Sequence, residues 1–203
     1  MDPSWFGSPL LPEGLLAVLI LVIIILDALF WPRRLTANLG YLTLCGLLLV
    51  LSASLEEWTD GASGRAFHDL VFLDTYATFF DLLVLAAALG ALLLALGGTD
   101  AKKPRGEFYP LLLVSVLGLM LTAAAADLLV VYLGLELASL PLWALVALGR
   151  RERPGSEAGL KFLILGLFGS SFALFGTSGM FTSLEVRSVT SSSRPSWHAT
   201  SFA

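Results

Sequence analysis

The sequence predicts an all-α fold: a polytopic membrane helix bundle with about six transmembrane helices. Of its residues 57% are hydrophobic and only 14% are charged, and the mean hydropathy is +0.84. A soluble domain carries about 25% charged residues, so this composition indicates a membrane protein. Several apolar stretches reach the roughly 20 residues that a spanning helix needs. Basic residues also concentrate in every second loop between these stretches.

The apolar stretches place the helices in order along the chain. We predict helices at residues 10–30, 35–55, 70–96, 108–125, 127–148 and 158–176. The first has an almost unbroken apolar core from Leu15 to Leu26, and the third is cleanest from Leu82 onward. The fourth and fifth share one apolar block, Phe108 to Leu148, which is about twice the length of one span. The chain must therefore turn back inside this block, and Ala126-Asp127 is the predicted tip of the hairpin.

The loops predict how the helices cross the membrane. The basic residues that follow helices 1, 3 and 5 are Arg33, Arg34, Lys102, Lys103, Arg105, Arg150, Arg151 and Arg153. The loop after helix 2 holds only Arg65 among several acidic residues, and the loop after helix 4 holds no basic residue. Because basic loops stay in the cytoplasm, we expect the N-terminus to lie outside. The alternation independently supports six spans.

The composition changes after Gly176. Residues 177–203 contain eight Ser and four Thr, with too little apolar surface to fold alone. We predict a tail that is disordered or is non-native sequence.

Several kinds of chemistry find no support in the sequence. Cys45 is the single cysteine, and His68 and His198 stand apart from any pattern of metal ligands. No glycine-rich phosphate-binding motif opens a helix. We therefore expect no metal site, no nucleotide site and no nucleic-acid partner.

Glu136 is the first candidate for a functional residue, because it lies near the middle of predicted helix 5. A charge at membrane depth costs about 2.5–3.5 kcal/mol, so ionisable residues there mark ion paths by default. Tyr132 and Ser139 share its helix face, and Pro141 cannot donate to the carbonyl of Leu137. A carboxyl, a hydroxyl and an open carbonyl together could hold water. The alternative is a buried carboxyl that its neighbours satisfy, without a transport role.

Lys161 is the second candidate, near the start of predicted helix 6. It could accept and release a proton as a carboxylate approaches and withdraws. It could equally be an interfacial anchor, because Glu157 lies four residues earlier and lysine reaches easily to the membrane surface. Helix geometry separates it from Glu136 by roughly 10 Å or more, so a water chain would have to connect them.

The remaining carboxyls are weaker candidates. Asp81 is a supporting candidate on the same face of helix 3 as Asp74, which we expect at the membrane interface. Glu13 suits the N-terminus of helix 1, where the helix dipole favours an anion. Asp27 lies near the basic end of that helix, and Asp127 most simply caps helix 5.

Three sequence runs resemble one family. They are Glu107-Phe-Tyr, Tyr132-Leu-Gly-Leu-Glu136-Leu-Ala-Ser139-Leu-Pro141-Leu-Trp-Ala-Leu-Val146 and Ser156-Glu-Ala-Gly-Leu-Lys161-Phe, with weaker support from Leu11-Pro-Glu13 and Phe72-Leu-Asp74. Residues 10–176 thereby resemble subunit N of the proton-translocating NADH:quinone oxidoreductase, respiratory complex I. Subunit N is one of the antiporter-like membrane subunits.

The resemblance implies a function. Glu136 and Lys161 match the helix-5 glutamate and the helix-6 lysine of the family's proton path. Proton translocation would be coupled to NADH oxidation and quinone reduction elsewhere in the complex, with no cofactor in this subunit. The partners would be the other membrane-arm subunits, lipid, protons and water, in a bacterial inner membrane.

The chain also departs from the family, which has about fourteen helices in two inverted repeats. This chain matches only the N-terminal part, so we expect it to be a truncated subunit that is inactive in pumping by itself. Two alternatives stay open. One is a subunit of a related multisubunit Na⁺/H⁺ antiporter or membrane-bound hydrogenase, and the other is a non-transporting membrane scaffold.

Overall fold

The computed structural model describes residues 11–29, 36–61, 64–66, 70–97, 106–148 and 153–192. Within these ranges the chain forms six helices and one small antiparallel sheet. The order is α1 Leu11–Leu29, α2 Thr36–Asp60, β1 Gly64–Ala66, β2 Val71–Leu73, α3 Thr75–Leu96, α4 Phe108–Ala123, α5 Leu128–Leu148 and α6 Arg153–Ser192. The prediction of an all-α membrane bundle with about six helices is confirmed. Most of the basic loop residues that predicted the topology lie outside the described residues.

Five of the described helices are long and apolar enough to cross a membrane. Helix α4, with 16 residues, is shorter. At 1.5 Å per residue it extends about 24 Å, against about 30 Å for the hydrocarbon core of a bilayer. Large apolar side chains point away from the core on every helix, as lipid-facing residues do. The chain is therefore a multi-pass membrane protein.

The predicted start of helix 3 at residue 70 is wrong, because residues 71–73 form strand β2. This strand pairs with β1 in the register Gly64 with Leu73 and Ala66 with Val71. Helix α3 then begins after Asp74, whose Oδ1 accepts a hydrogen bond from the Ala77 amide at 2.9 Å. That bond satisfies one of the amides left free at a helix start.

The predicted end of helix 4 at residue 125 is also wrong, because strand β2 contacts the α4–α5 turn. The Phe72 amide donates to the carbonyl of Ala124 at 2.8 Å, and the Ala126 amide donates to the carbonyl of Leu70 at 3.0 Å. Val71 and Ala125 form an antiparallel bridge. The backbone of the turn thus pairs with a strand, so α4 ends at Ala123 and α5 begins at Leu128. The predicted hairpin tip at residues 126 and 127 lies between them.

The chain divides into two compact units, residues 1–166 and 167–203. In the first unit, α1 to α4 surround an apolar core. Its buried residues mostly recur every three or four positions along each helix, as expected of one helix face. They are Leu16, Ile20, Ile23, Leu39, Leu47, Val50, Leu85, Ala88, Leu92, Tyr109, Leu113, Val116 and Met120.

Helices α4 and α5 approach each other most closely where both lack a side chain. A Cβ on Gly118 would collide with the α5 backbone at Leu137 and Ala138, and a Cβ on Gly134 would meet Thr122 of α4. Small residues allow such close approach between membrane helices. The first part of α6 then lies on α5, where a Cβ on Gly159 would collide with Ala147.

Helix α6 continues to Ser192, beyond the predicted end at Gly176. In the second unit, hydroxyl groups bond back to carbonyls of the same helix: Ser171 to Leu167, Thr177 to Leu174 and Thr182 to Ser178. These bonds satisfy polar side chains within the helix, which is why a Ser/Thr-rich segment need not interrupt it. We expected the chain to be disordered from residue 177 onward. This expectation is wrong for residues 177–192, which belong to α6. Residues 193–203 lie outside the described residues, and a non-native origin of the tail stays a prediction.

Candidate functional site

Glu136 lies eight residues after the start of α5, about 12 Å along the helix axis, and is half-buried. Tyr132 and Ser139, which share its helix face, are half-buried as well. The Ser139 hydroxyl donates to the backbone carbonyl of Glu136 at 3.3 Å. This hydroxyl therefore bonds to the α5 backbone. That it holds water together with the carboxyl and the open carbonyl stays a prediction.

Pro141 lies inside α5, as the sequence indicated, and it is buried. It has no amide proton, so the carbonyl of Leu137 receives no helical hydrogen bond from that position. The Leu137 peptide lies directly against Gly118 of α4. The open carbonyl is thus at the contact between α4 and α5, one residue beyond Glu136.

Lys161 lies on the first turns of α6 and is exposed, with 74% of its side chain accessible. Its Nζ donates to Oε1 of Glu157 at 2.6 Å, four residues earlier on the same helix. Exposed pairs of this kind contribute at most about 1 kcal/mol to stability. The local geometry is that of the interfacial-anchor alternative.

The structure does not bring Lys161 to Glu136. Gly159 lies against Ala147, and the rings of Phe162 and Trp143 meet edge to face at 6.4 Å. Because α5 and α6 are antiparallel, these contacts place Lys161 level with the last turns of α5. Glu136 is then about ten residues, or about 15 Å, farther along α5.

A different group of carboxyls does come together, at the start of α1 and α3 and the end of α2. Glu13 lies in the first turn of α1, Glu57 in the last turn of α2 and Asp81 in the second turn of α3, so all three are at the same end of the bundle. Glu13 is 5% exposed and Asp81 is 1% exposed, while Glu57 is half-buried. We call these three residues the carboxyl triad.

Contacts between the helices give the level of each carboxyl of the triad along the bundle. Between α2 and α3, the rings of Trp58 and Phe79 are 6.3 Å apart, which places Glu57 and Asp81 at nearly the same level along the two helices. Between α1 and α2, Gly46 lies against Leu19. Glu13 is six residues before Leu19 on α1. Because α1 and α2 are antiparallel, it lies level with the residue six positions after Gly46 on α2, residue 52. Along the axis, that level is about 8 Å from Glu57.

The triad has few hydrogen-bond partners. Both carboxyl oxygens of Glu13, Oε1 of Glu57 and Oδ1 of Asp81 are buried and have none. Two buried hydroxyls nearby bond to their own helices, Ser54 to the carbonyl of Val50 and Thr78 to that of Asp74. They therefore leave these carboxyl oxygens unpaired.

Sequence reasoning missed the triad for an identifiable reason. Helix 2 was predicted to end at residue 55, which placed Glu57 in a loop, but α2 continues to Asp60. Asp81 was predicted only as a supporting candidate on helix 3, and it is buried in the second turn of α3. In the described ranges, no group of three or more His, Cys, Asp or Glu side chains is placed to hold a metal ion.

Comparisons with known proteins show which family this chain is similar to. Residues 125–197 match the family model described as NADH:quinone oxidoreductase/Mrp antiporter, TM. The NADH-quinone oxidoreductase subunit N of Trichlorobacter lovleyi is 35% identical over 168 residues, which cover 82% of this chain and 34% of that protein. The subunit N of Desulfitobacterium hafniense is 40% identical over 149 residues, which cover 72% and 30% respectively. Over the matched residues the chain is similar to the subunit N family of NADH-quinone oxidoreductases.

One solved structure contains a chain with a similar fold. A chain of respiratory complex I from Thermus thermophilus with bound aureothin has a TM-score of 0.71 and 31% sequence identity, over 84% of this chain and 36% of that one. This chain thus spans about a third of the length of the relatives it matches. The matched family segment contains Glu136 and Lys161, whereas the carboxyl triad precedes it.

Proposed function

We propose that this chain is part of a membrane-arm subunit of proton-translocating NADH:quinone oxidoreductase. It would contribute to proton translocation coupled to NADH oxidation and quinone reduction, with the redox groups elsewhere in the complex. The observation that carries the proposal is the likeness to a complex I chain over 84% of this chain, at a TM-score of 0.71. A carboxyl near the middle of a spanning helix supports it, because such groups mark ion paths.

The proposed mechanism is electrostatic. Glu136 would stabilise positive charge in the proton path while it is ionised, and would weaken that hold when it is protonated or moves away. Lys161 is held by Glu157 at the surface of α6, and the length of a lysine side chain lets it leave this pair. About 15 Å separates it from Glu136, so water would have to carry the proton between them.

The partners and location follow from the same proposal. We expect the other membrane-arm subunits of the complex to cover part of the exposed apolar surface, and lipid to cover the rest. The membrane would be a bacterial inner membrane, with the N-terminus outside. A cofactor bound to this subunit is not expected.

The test is Glu136→Gln in the complete subunit, assembled in the complex in membrane vesicles. We expect assembly to be retained and the proton gradient formed per NADH oxidised to fall, because the amide keeps the shape of the side chain and loses its charge. Assembly is measured by native gel electrophoresis and the gradient with a pH-sensitive dye. Glu56→Gln is the matched control, since Glu56 is exposed.

Two results would count against the proposal. Normal pumping with normal assembly would remove Glu136 from the proton path. Loss of the assembled complex would support a structural role of this carboxyl.

A second candidate is a non-transporting scaffold. The observation that favours it is the surface pair of Lys161 with Glu157, far from Glu136. Under this alternative, replacing Lys161 by Met and Glu136 by Gln together would change stability alone. A sodium-coupled antiporter subunit, which the description of the family model also includes, would instead make the gradient depend on Na⁺.

A further inference from the structure

We propose that Glu13, Glu57 and Asp81 form a proton-binding site between α1, α2 and α3, separate from the Glu136 path. The ligand is the proton itself, exchanged with water on the side of the membrane where α1 begins. The site would hold protons at neutral pH because Glu13 and Asp81 are buried and the four helices α1 to α4 carry no basic residue.

The first step of the argument is charge. The sequences of α1, α2, α3 and α4 contain no Lys, Arg or His. No basic side chain of these four helices can therefore neutralise the carboxyl triad. Unpaired ionised carboxylates in an apolar interior are so costly that the group takes up a proton instead.

The second step concerns the hydrogen-bond partners of the carboxyl oxygens. Glu13 is 5% exposed and Asp81 is 1% exposed, and three of their four oxygens are buried without a hydrogen-bond partner. A buried oxygen without a partner costs roughly 1–3 kcal/mol. A protonated carboxyl can donate as well as accept, so protonation removes the buried charge and adds a hydrogen-bond donor.

The third step concerns the other titratable groups near the triad. On α2 these are Glu56 and Asp60, and both are exposed. On α3, Asp74 bonds to the Ala77 amide and Tyr76 is exposed. On α4 the titratable group is Tyr109, whose hydroxyl lies by Gly40 near the opposite end of α2. None of these groups supplies a positive charge.

The choice of the proton over a metal ion rests on placement. In the part of the chain that the structure describes, no three carboxylates are arranged to hold a metal ion together. A proton needs only one or two oxygens at hydrogen-bond distance, and the half-buried Glu57 is where we propose that it exchanges with solvent. A cluster in which like charges repel loads its protons one after another rather than together.

The path to water follows from the positions of the three residues. Glu13 lies in the first turn of α1, Glu57 in the last turn of α2 and Asp81 in the second turn of α3. All three are at the same end of the bundle, because consecutive helices run in opposite directions. The loops predict that this end faces outside.

The experiment is labelling with dicyclohexylcarbodiimide in native membranes that contain the complete subunit, followed by peptide mass spectrometry. The reagent reacts with a protonated carboxylic acid in apolar surroundings. The acid proton moves to a carbodiimide nitrogen, a carboxyl oxygen bonds to the central carbon, and the adduct rearranges to a stable N-acylurea. We expect adducts on Glu13 or Asp81 at neutral pH that decline as the pH is raised.

Glu56 is the internal control, because it is exposed and adjacent to Glu57 on α2. We expect no adduct there. Equal labelling of Glu56 and the triad at neutral pH, or no labelling of Glu13 and Asp81, would overturn the proposal. Protection by Na⁺ at constant pH would also overturn it, because the occupant would then be a metal ion.

A variant tests whether the three carboxyls act together. Asp81→Asn removes one titrating group and keeps the size of the side chain, so we expect the Glu13 adduct to decline at a lower pH than before. An unchanged Glu13 profile would contradict a shared site. If Asp81→Asn does not assemble, Glu57→Gln makes the same test, since Glu57 is only half-buried and tolerates substitution better.

Discussion

Replacing Gly118 by Ala should separate α4 from α5, and this effect can be worked out from the structure. An added Cβ would lie 2.7 Å from the carbonyl carbon of Leu137 and 2.8 Å from the carbonyl oxygen of Gly134. Both atoms belong to the α5 backbone, so no side-chain rotation relieves the collision. Ordinary contact begins near 3.4 Å, so the helices must move apart by about 0.6–0.7 Å or more.

The magnitude follows from the cost of overpacking. Extra methyl groups in a tightly packed core cost typically 1–3 kcal/mol. Ala is intrinsically better than Gly inside a helix by about 1 kcal/mol in water, so the net destabilisation should be about 0–2 kcal/mol. Gly90 on α3 provides the matched control, because an added Cβ there meets nothing within 4 Å. Gly90→Ala should be neutral or slightly stabilising.

The assay is unfolding of the chain in mixed detergent micelles, with helix content followed as the denaturing detergent is increased. A double variant makes the test more specific, because Gly134 borders the same contact between α4 and α5. The loss of stability in Gly118→Ala with Gly134→Ala should be smaller than the sum of the losses in the two single variants. Once the helices have separated for one methyl group, the second finds room. Equal stability of Gly118→Ala and Gly90→Ala would refute the close contact, and strict additivity would refute a shared one.

Two further predictions concern side chains with defined partners. Asp74→Ala removes the oxygen that caps α3 and should destabilise the chain by about 1 kcal/mol in the same assay. Asp74→Asn keeps an oxygen at this position and should retain most of the stability. Equal losses for both variants would exclude the capping role. Trp143→Ala should cost about 3–5 kcal/mol, because this buried ring packs against Gly166 and Phe162 of α6. Phe162→Leu, which keeps the contact apolar, should cost much less, and a similar loss for both would argue against the α5–α6 contact.

The helices were predictable because each apolar stretch that indicates a helix is long. An apolar block of twice the spanning length requires a hairpin, and its tip was placed at residues 126 and 127, where the chain does turn. The strands were not predictable, because each has three residues and Val-Phe-Leu reads as the beginning of the apolar helix that follows. Their pairing depends on the distant residue Ala125, which no local pattern indicates.

The candidate site, like the fold, was predictable only in part from the sequence. The position of Glu136 within α5 follows from helix geometry alone, and so does its separation from Lys161. The carboxyl triad depends on which helix faces meet, and the sequence of one helix does not specify its neighbour's register. A weaker signal was nevertheless present: Glu57 ends an apolar helix, and four successive apolar segments contain no basic residue.

The pairing of strand β2 with the α4–α5 turn has a consequence for the order in which the chain assembles. Residues 70–73 come from the segment after α2, while Ala124 and Ala126 are made only after α4 has emerged. The hydrogen bonds between them can form only when the α4–α5 hairpin has inserted beside the earlier helices. Protection of the Phe72 and Ala126 amides from hydrogen exchange therefore marks a late event in biogenesis. A chain whose hairpin inserted in the wrong orientation would leave both amides unprotected.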